Sequence, residues 1–573
     1  MKKEIKCISL FSIIVLVLII ALFSGTASAA IPGRVISNSE DWKDVYSVML
    51  FSSLNGYTGS FLVSEKHSTI ILGNIPKDTH LWVVSSQRTP YILGYKSLIE
   101  SKGYTVEEFI YSNVNLELGK QLDKVTNFVI LDDSYGYNSI SVAPYATASK
   151  SWVLFADRNN IDDIVDFLNS RTVDSLLIYG HVDREVTDGL SIFDPETINH
   201  DGDRFLNNLD IVDRYRKIAD AKQVILTNGE FIEREIMSGV EPVVFIGSGN
   251  VPDNVRQYIQ DSNIEVGVLI GNELVSSATF IRRQIGISVF VKFAQGARQP
   301  GAPISQVEAL DMFYLPTYNL NLDLDSAKYN KATNQLEITL RNTVEQGIYF
   351  KGTHSIDAAD GTNQRVGDID TVFIEANSLK TMVYDIEPLP EGQSFVDIYI
   401  VYGESRNALE RVIQGKLPIE EISVLDNCDI SLNSLMYNKN AKVFYIDTEN
   451  KGEVPCFVNE EIIDIRIGGE KQNLGQEGVE SIDVGESKKI KIIADLSDSD
   501  IEDNSKVNVR AHYGERKNAL VKVKEQEFDM MLTTLIFGMT PSDLFFYSLL
   551  LVIIFLITLI IYKRRKKAKQ YGF

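Results

Sequence analysis

The chain is poor in the residues from which catalytic and metal sites are built. Among 573 residues there are three cysteines, six histidines and three tryptophans. No two histidines stand at HExxH spacing, and neither a G-x-S-x-G elbow nor a G-x-x-x-x-G-K-[ST] loop occurs. Cys7 falls in the first apolar run, leaving Cys428 and Cys456. Two cysteines with no histidine cluster beside them cannot close a structural zinc site. In an exported domain such an isolated pair is a disulfide candidate, bonded or free. No catalytic residue, metal ligand or cofactor is expected from these patterns. Positive charge is also short: 56 Lys and Arg face 78 Asp and Glu, a formal net charge of −22. With the two basic ends set aside the balance is about −30, which argues against nucleic acid as a partner. Low-complexity tracts are absent, and so is an LPxTG sorting signal.

The two ends are strongly patterned. A cationic start, the apolar run of residues 7–23 and the small residues ending at Ala27 and Ala29 read as a secretory signal peptide over 1–29. Residues 544–562 contain no charge, Gly or Pro. A helix of that length covers ~28 Å, near the ~30 Å of a bilayer core. The basic tail 563–573 then predicts a cytoplasmic C-terminus. The expectation is a single-pass cell-membrane protein with its large domain outside the cytoplasm.

Between these ends the pattern changes once. Short apolar runs at 79–86, 127–133, 151–157, 175–180, 223–229, 242–247 and 266–271 alternate with helix-like stretches such as 161–171 and 251–261. Strand–helix alternation with strands apolar on both faces predicts an α/β domain with a mostly parallel sheet over 30–295. The segments beginning at Val129 and Val224 repeat one another, and a weaker third copy spans 44–86. Their matching pieces are EPVVFIGSGNVPDNVRQYI with VGVLIG, and KSWVLFADRNNIDDIVDFL with LLIYG, together with IVDRYRKIADAKQVILTNG. On these residues the chain resembles the cell-wall-binding repeat 2 family, tandem α/β repeats of prokaryotic surface proteins. The resemblance covers under half the chain and implies binding of envelope glycan. The family's double glycine is YGH or IGN here, so no binding residue is carried over.

A Pro/Gly-rich linker is read at 296–318, and period-two runs follow it. Tyr329-Asn330-Lys331 recurs as Tyr437-Asn438-Lys439, and YGESRNAL at 402–409 recurs as YGERKNAL at 513–520. The near-constant offset predicts two duplicated immunoglobulin-like β-sandwiches, at 319–418 and 427–527. YGExxNAL reads as a structural turn in both.

Polar constellations are sparse. YGHVDRE places His181, Asp183 and Arg184 at one strand end, where α/β sites form, and these are the weak ligand-binding candidates. The FIGSGNVPDN turn (245–254) and the acidic turn His200-Asp201-Gly202-Asp203 suit an anion and a cation less specifically. The expected function is non-catalytic. A membrane-anchored envelope protein presents the α/β repeats on a β-sandwich stalk, for envelope-polymer binding or surface-layer assembly. Envelope glycan or other surface proteins are its expected partners, alongside the membrane. The alternative is an extracytoplasmic hydrolase-like enzyme using the α/β domain.

Overall fold

The computed structural model of the chain describes residues 33–532, except 272–273, 276–277, 293–294, 298–305 and 309–310, together with 549, 550, 553 and 555. It divides into two compact units, residues 1–121 and 122–573.

The first unit holds one parallel sheet in the spatial order Thr58–Phe61, Arg34–Asn38, His80–Ser86, Thr105–Tyr111. The helix Trp42–Asn55 links its first two strands. Asp41 caps that helix by accepting from Lys43 N, and Gly56 ends it at φ 71°, a conformation that favours glycine.

The second unit opens with two more sheets of the same design. One runs Ser151–Phe155, Asn127–Leu131, Ser175–Tyr179, Glu196–Ile198, and the other Val243–Phe245, Gln223–Thr227, Val266–Ile270, Ser288–Lys292. All pairings in both are parallel. In each of the three sheets the second strand of the chain lies outside the first, and the third and fourth extend on the other side. Most strands are buried because helices cover both faces, as in Ser151–Phe155 where every residue is buried, whereas the outer strands Thr105–Tyr111 and Ser288–Lys292 are largely half-exposed. The buried side chain of Asn208 ties the second and third sheets together. It donates to Ser141 Oγ (2.8 Å) and Val243 O (3.0 Å) and accepts from Phe245 N (2.8 Å).

Part of the stretch read as a linker is held on this α/β body. Phe313–Tyr314 pairs with Phe231–Ile232, and Pro316 O accepts from Gly136 N (3.1 Å). A Cβ at Gly136 would lie 2.5 Å from Leu315 Cδ1, so only glycine allows that approach.

Two β-sandwiches follow. The first packs the sheet Leu379–Asp385, Gln335–Asn342, Leu322–Asn330, Glu420–Ile422 on one containing Asn363–Gly367, Ile348–Asp357, Phe395–Gly403 and Leu409–Pro418. Inward residues of both sheets, among them Ile338, Leu340, Phe350, Ile398 and Ile400, form its core. The second repeats this order with Ser487–Ile493, Val443–Asn450, Ile430–Asn438, Met531–Leu532 and a second sheet around Cys456–Ile467. Even the β-bulge recurs, between Leu324 and Ser326 and again between Leu432 and Ser434. Cys428 and Cys456 are disulfide-bonded within the second core, across the two sheets.

The α/β parallel sheets and the β-rich C-terminal region agree with the sequence pattern; the membrane span does not. Among the described residues no helix is long and apolar enough to cross a membrane. This corrects both the transmembrane helix and the single-pass cell-membrane location. Apolar composition marks out a run, whereas a span needs about 20 residues in one unbroken hydrogen-bonded helix. Of 544–562 only Leu549, Leu550, Ile553 and Phe555 are described. The signal peptide (1–29) and the basic tail (563–573) lie outside the described residues.

The disulfide closes a loop with a sequence separation of 28. Loop-closure entropy then gives the second sandwich about 3–4 kcal/mol of stability. Reduction, or Cys428→Ser with Cys456→Ser, is expected to lower its denaturant midpoint accordingly, with the α/β transition unmoved in the same titration.

Candidate functional site

The site is built on the N-terminus of the helix Arg204–Ile218. Asp203 caps it, accepting from Phe205 N (2.9 Å) and Leu206 N (3.1 Å) through one carboxylate oxygen. The cap fixes Arg204 at the first helical position, with its guanidinium 4.0 Å from the Tyr137 ring centroid. There it is only 4% exposed and meets two carboxylates of the first sandwich. Its Nε donates to Glu404 Oε1, and Nη2 lies 2.6 Å from Glu410 Oε2.

Glu404 sits in the YGESRNAL hairpin and Glu410 begins the strand beyond it. The hairpin also seats the FIGSGNVPDN turn: Glu410 O accepts from Gly249 N (3.1 Å) and Asn250 N (3.0 Å). A Cβ at Gly247 would come within 2.5 Å of Glu410 Cβ. The loop considered for an anion is therefore a seat for another domain. Arg204 is shared by the two buried acids, and Arg411 Nε stands 3.9 Å from Glu410 Oε1 on its other side. Burial, opposed by Arg204 and reinforced by Glu410, pushes the Glu404 carboxyl up from 4.5 to about 7.

The three residues singled out in YGHVDRE do not converge. His181 Nδ1 lies 3.2 Å from Glu470 Oε1 of the second sandwich. That hydrogen bond raises the imidazole above its ordinary range. Asp183 instead takes a two-pronged pair from Arg158 (2.9 and 3.2 Å), which lowers its carboxyl. Arg184 reaches toward Asp500 (3.8 Å). Two of the three thus face the second sandwich and one faces a neighbouring loop. The acidic turn at 200–203 also meets this sandwich: Asn199 donates to Glu470 (2.7 Å), and Asp201 lies 3.6 Å from Arg466. Among the described residues no group of three or more His, Cys, Asp or Glu side chains is placed to hold a metal ion.

Between the α/β body and the two sandwiches these contacts leave a cleft of about 470 Å³. Asp203, Tyr318, Tyr349, Glu404, Asn407 and Gln472 are among its walls. Sequence reasoning missed Arg204, Glu404, Glu410 and this cleft. The signal that pointed there was the repeated YGExxNAL turn. In the second sandwich the same turn presses on the first, with Arg516 Nη2 2.8 Å from Glu337 Oε1.

No family model matches the chain. It is similar to a deoxyguanosine kinase of Dictyostelium discoideum, 23% identical over 227 residues, which are 38% of this chain and 73% of that protein. Among solved structures it is similar to Cwp8 from Clostridium difficile, at 16% identity and TM-score 0.36 over 45% of this chain. The chain spans about half (48%) of the length of Cwp8. It is also similar to the periplasmic chaperone SfaE, at 10% identity and TM-score 0.13, over 38% of this chain and all of the chaperone. TM-scores this low carry no argument about fold or function.

The docking has a predictable pH dependence. Glu404 and His181 both bind a proton more tightly folded than unfolded. The stability each gives is complete below its unfolded pKa and is lost as pH rises through its folded one. Thermal unfolding of the full chain is therefore expected to shift upward from pH 8 to pH 6.5. Below that, His354 and His512, which burial holds down at about 4, withdraw stability as the pH falls from 6.5 toward 4. Glu404→Gln should reduce the upper limb, leaving the part supplied by Glu460, which burial in the second sandwich pushes up to about 8. An undiminished rise in that variant would place the proton elsewhere.

Proposed function

We propose that this chain is a non-catalytic envelope or surface protein whose α/β repeats bind an envelope polymer or assemble into a surface layer. The observation that carries the reading is the threefold recurrence of one four-stranded parallel sheet, with identical strand order each time. Three copies of one unit in a single chain suit a partner that is itself repetitive, such as a glycan or a lattice of copies. The resemblance of the second and third copies to cell-wall-binding repeat 2 supports the glycan partner. The sandwiches then serve as a spacer held to the repeats by ionic hairpins. The sequence carries no phosphate-cradling G-x-x-x-x-G-K-[ST] loop of the kind a nucleotide-dependent kinase uses.

Co-sedimentation of the full chain with insoluble prokaryotic envelope polymer tests this. Saturable retention that soluble polymer competes away is the expected result. A chain that stays in the supernatant with every fraction, and forms no ordered arrays by electron microscopy, would sink the reading.

A further inference from the structure

The cleft between the α/β body and the two sandwiches contains unmet hydrogen-bonding capacity. Glu404 Oε2, Asp203 Oδ2 and Ser405 Oγ are buried with no hydrogen-bond partner, and all three residues line the cleft. The Glu404 and Asp203 side chains are only 5% and 4% exposed. Each holds its protein partner through one oxygen, Arg204 for Glu404 and the helix N–H groups for Asp203, and leaves the other oxygen empty. A buried acceptor without a donor costs about 1–3 kcal/mol, so several at one cleft mark a place where a donor belongs.

The charge narrows what that donor is. Glu404 and Glu410 share Arg204, with Arg411 Nε 3.9 Å from Glu410 on its other side, and the cleft walls carry Asp201, Asp203, Glu404, Asp464 and Glu470 against Arg406 and Lys471. Arg406, at the rim, is taken by Asp464 (2.5 Å). Anions are repelled from such a floor, while neutral or cationic donors are accepted. The remaining walls supply ring surface from Tyr318 and Tyr349 and amides from Asn407 and Gln472. Flat rings edged by amides and carboxylates suit a pyranose, which offers C–H faces and a circle of O–H donors. The volume lies within the roughly 300–1,000 Å³ of small-ligand sites.

We propose that this cleft binds a non-anionic sugar unit, a hydroxyl-rich or amino-bearing pyranose that donates to Glu404, Asp203 and Ser405. The site is separate from the repeat surfaces that engage polymer in the reading above.

Calorimetric titration of the full chain with three trisaccharides tests it: an N-acetylglucosamine trimer, a glucosamine trimer and a galacturonate trimer. The neutral or the amino trimer is expected to bind, and the uronate is not. Glu404→Gln should weaken binding about tenfold or more, the loss of one charge-assisted hydrogen bond. Because that variant also touches the Arg204 pair, Asn407→Ala, at an exposed position, serves as the second. It should weaken binding about three- to tenfold with the melting temperature unchanged. No binding of any trimer, tightest binding of the uronate, or binding indifferent to Asn407→Ala would overturn the proposal. A chain that fails co-sedimentation yet takes these trimers keeps the cleft and loses the polymer reading. One that sediments but takes no trimer does the reverse.

Discussion

One buried cation governs how the second unit is put together. Arg204 has left water for a space bounded by Tyr137 and two carboxylates of another domain. Removing a guanidinium from water costs several kcal/mol, recovered only where its partners stand in the right places. Apolar surfaces tolerate sliding, because burial is nearly indifferent to direction. A buried charge does not: a displacement that parts Arg204 from Glu404 and Glu410 leaves Arg204 and Glu404 uncompensated. The triad therefore selects one arrangement of the α/β body on the first sandwich, whatever its net contribution to stability.

The same hairpin is used again, docking through the next position of its turn. In the first sandwich the turn presents an acid, Glu404, to a cation on the preceding domain. In the second it presents a cation, Arg516, to Glu337 on the preceding domain. Around that second joint Lys380, Arg510 and His512 gather on Glu461. The duplication kept the backbone turn, in which Gly403 and Gly514 each end a strand, and varied the side chain that docks. The second hairpin keeps an acid, Glu515, at the position of Glu404, where it accepts from Asn427 N, and docks instead through Arg516 at the position of Ser405. The two joints therefore differ in which position of the turn reaches the preceding domain.

The fold was legible in the sequence where burial dictates pattern. Continuous runs such as SWVLF and PVVFIG exist because both faces of those strands are covered, and alternating runs such as FVDIYIVYG because one face is not. The docking was not legible, because it joins residues about 200 positions apart with no local signature. Arg204 looks like any basic residue in the first turn of a helix. Gly247 looks like part of an anion-binding loop until Glu410 occupies the space a Cβ would need. His181, Asp183 and Arg184 misled for a related reason. Closeness in sequence at a strand end says nothing of direction, and here they diverge to three separate partners. The apolar run at 544–562 is read from composition alone, and among the described residues no helix is long and apolar enough to cross a membrane.

The cleft follows from the docking. The α/β body and the two sandwiches meet through these contacts and leave the cleft between them. Glu404 belongs to both features: one oxygen holds Arg204 and the other faces the unmet acceptors of the cleft. A donor arriving there stabilises the ionised carboxylate against the burial that favours its protonated form. The ionised carboxylate in turn holds Arg204 more strongly. Binding and docking are then linked through a single side chain, and by thermodynamic reciprocity whatever tightens one tightens the other. The buried Glu404 oxygen that is costly without a donor is thus the group through which a bound donor makes the joint firmer.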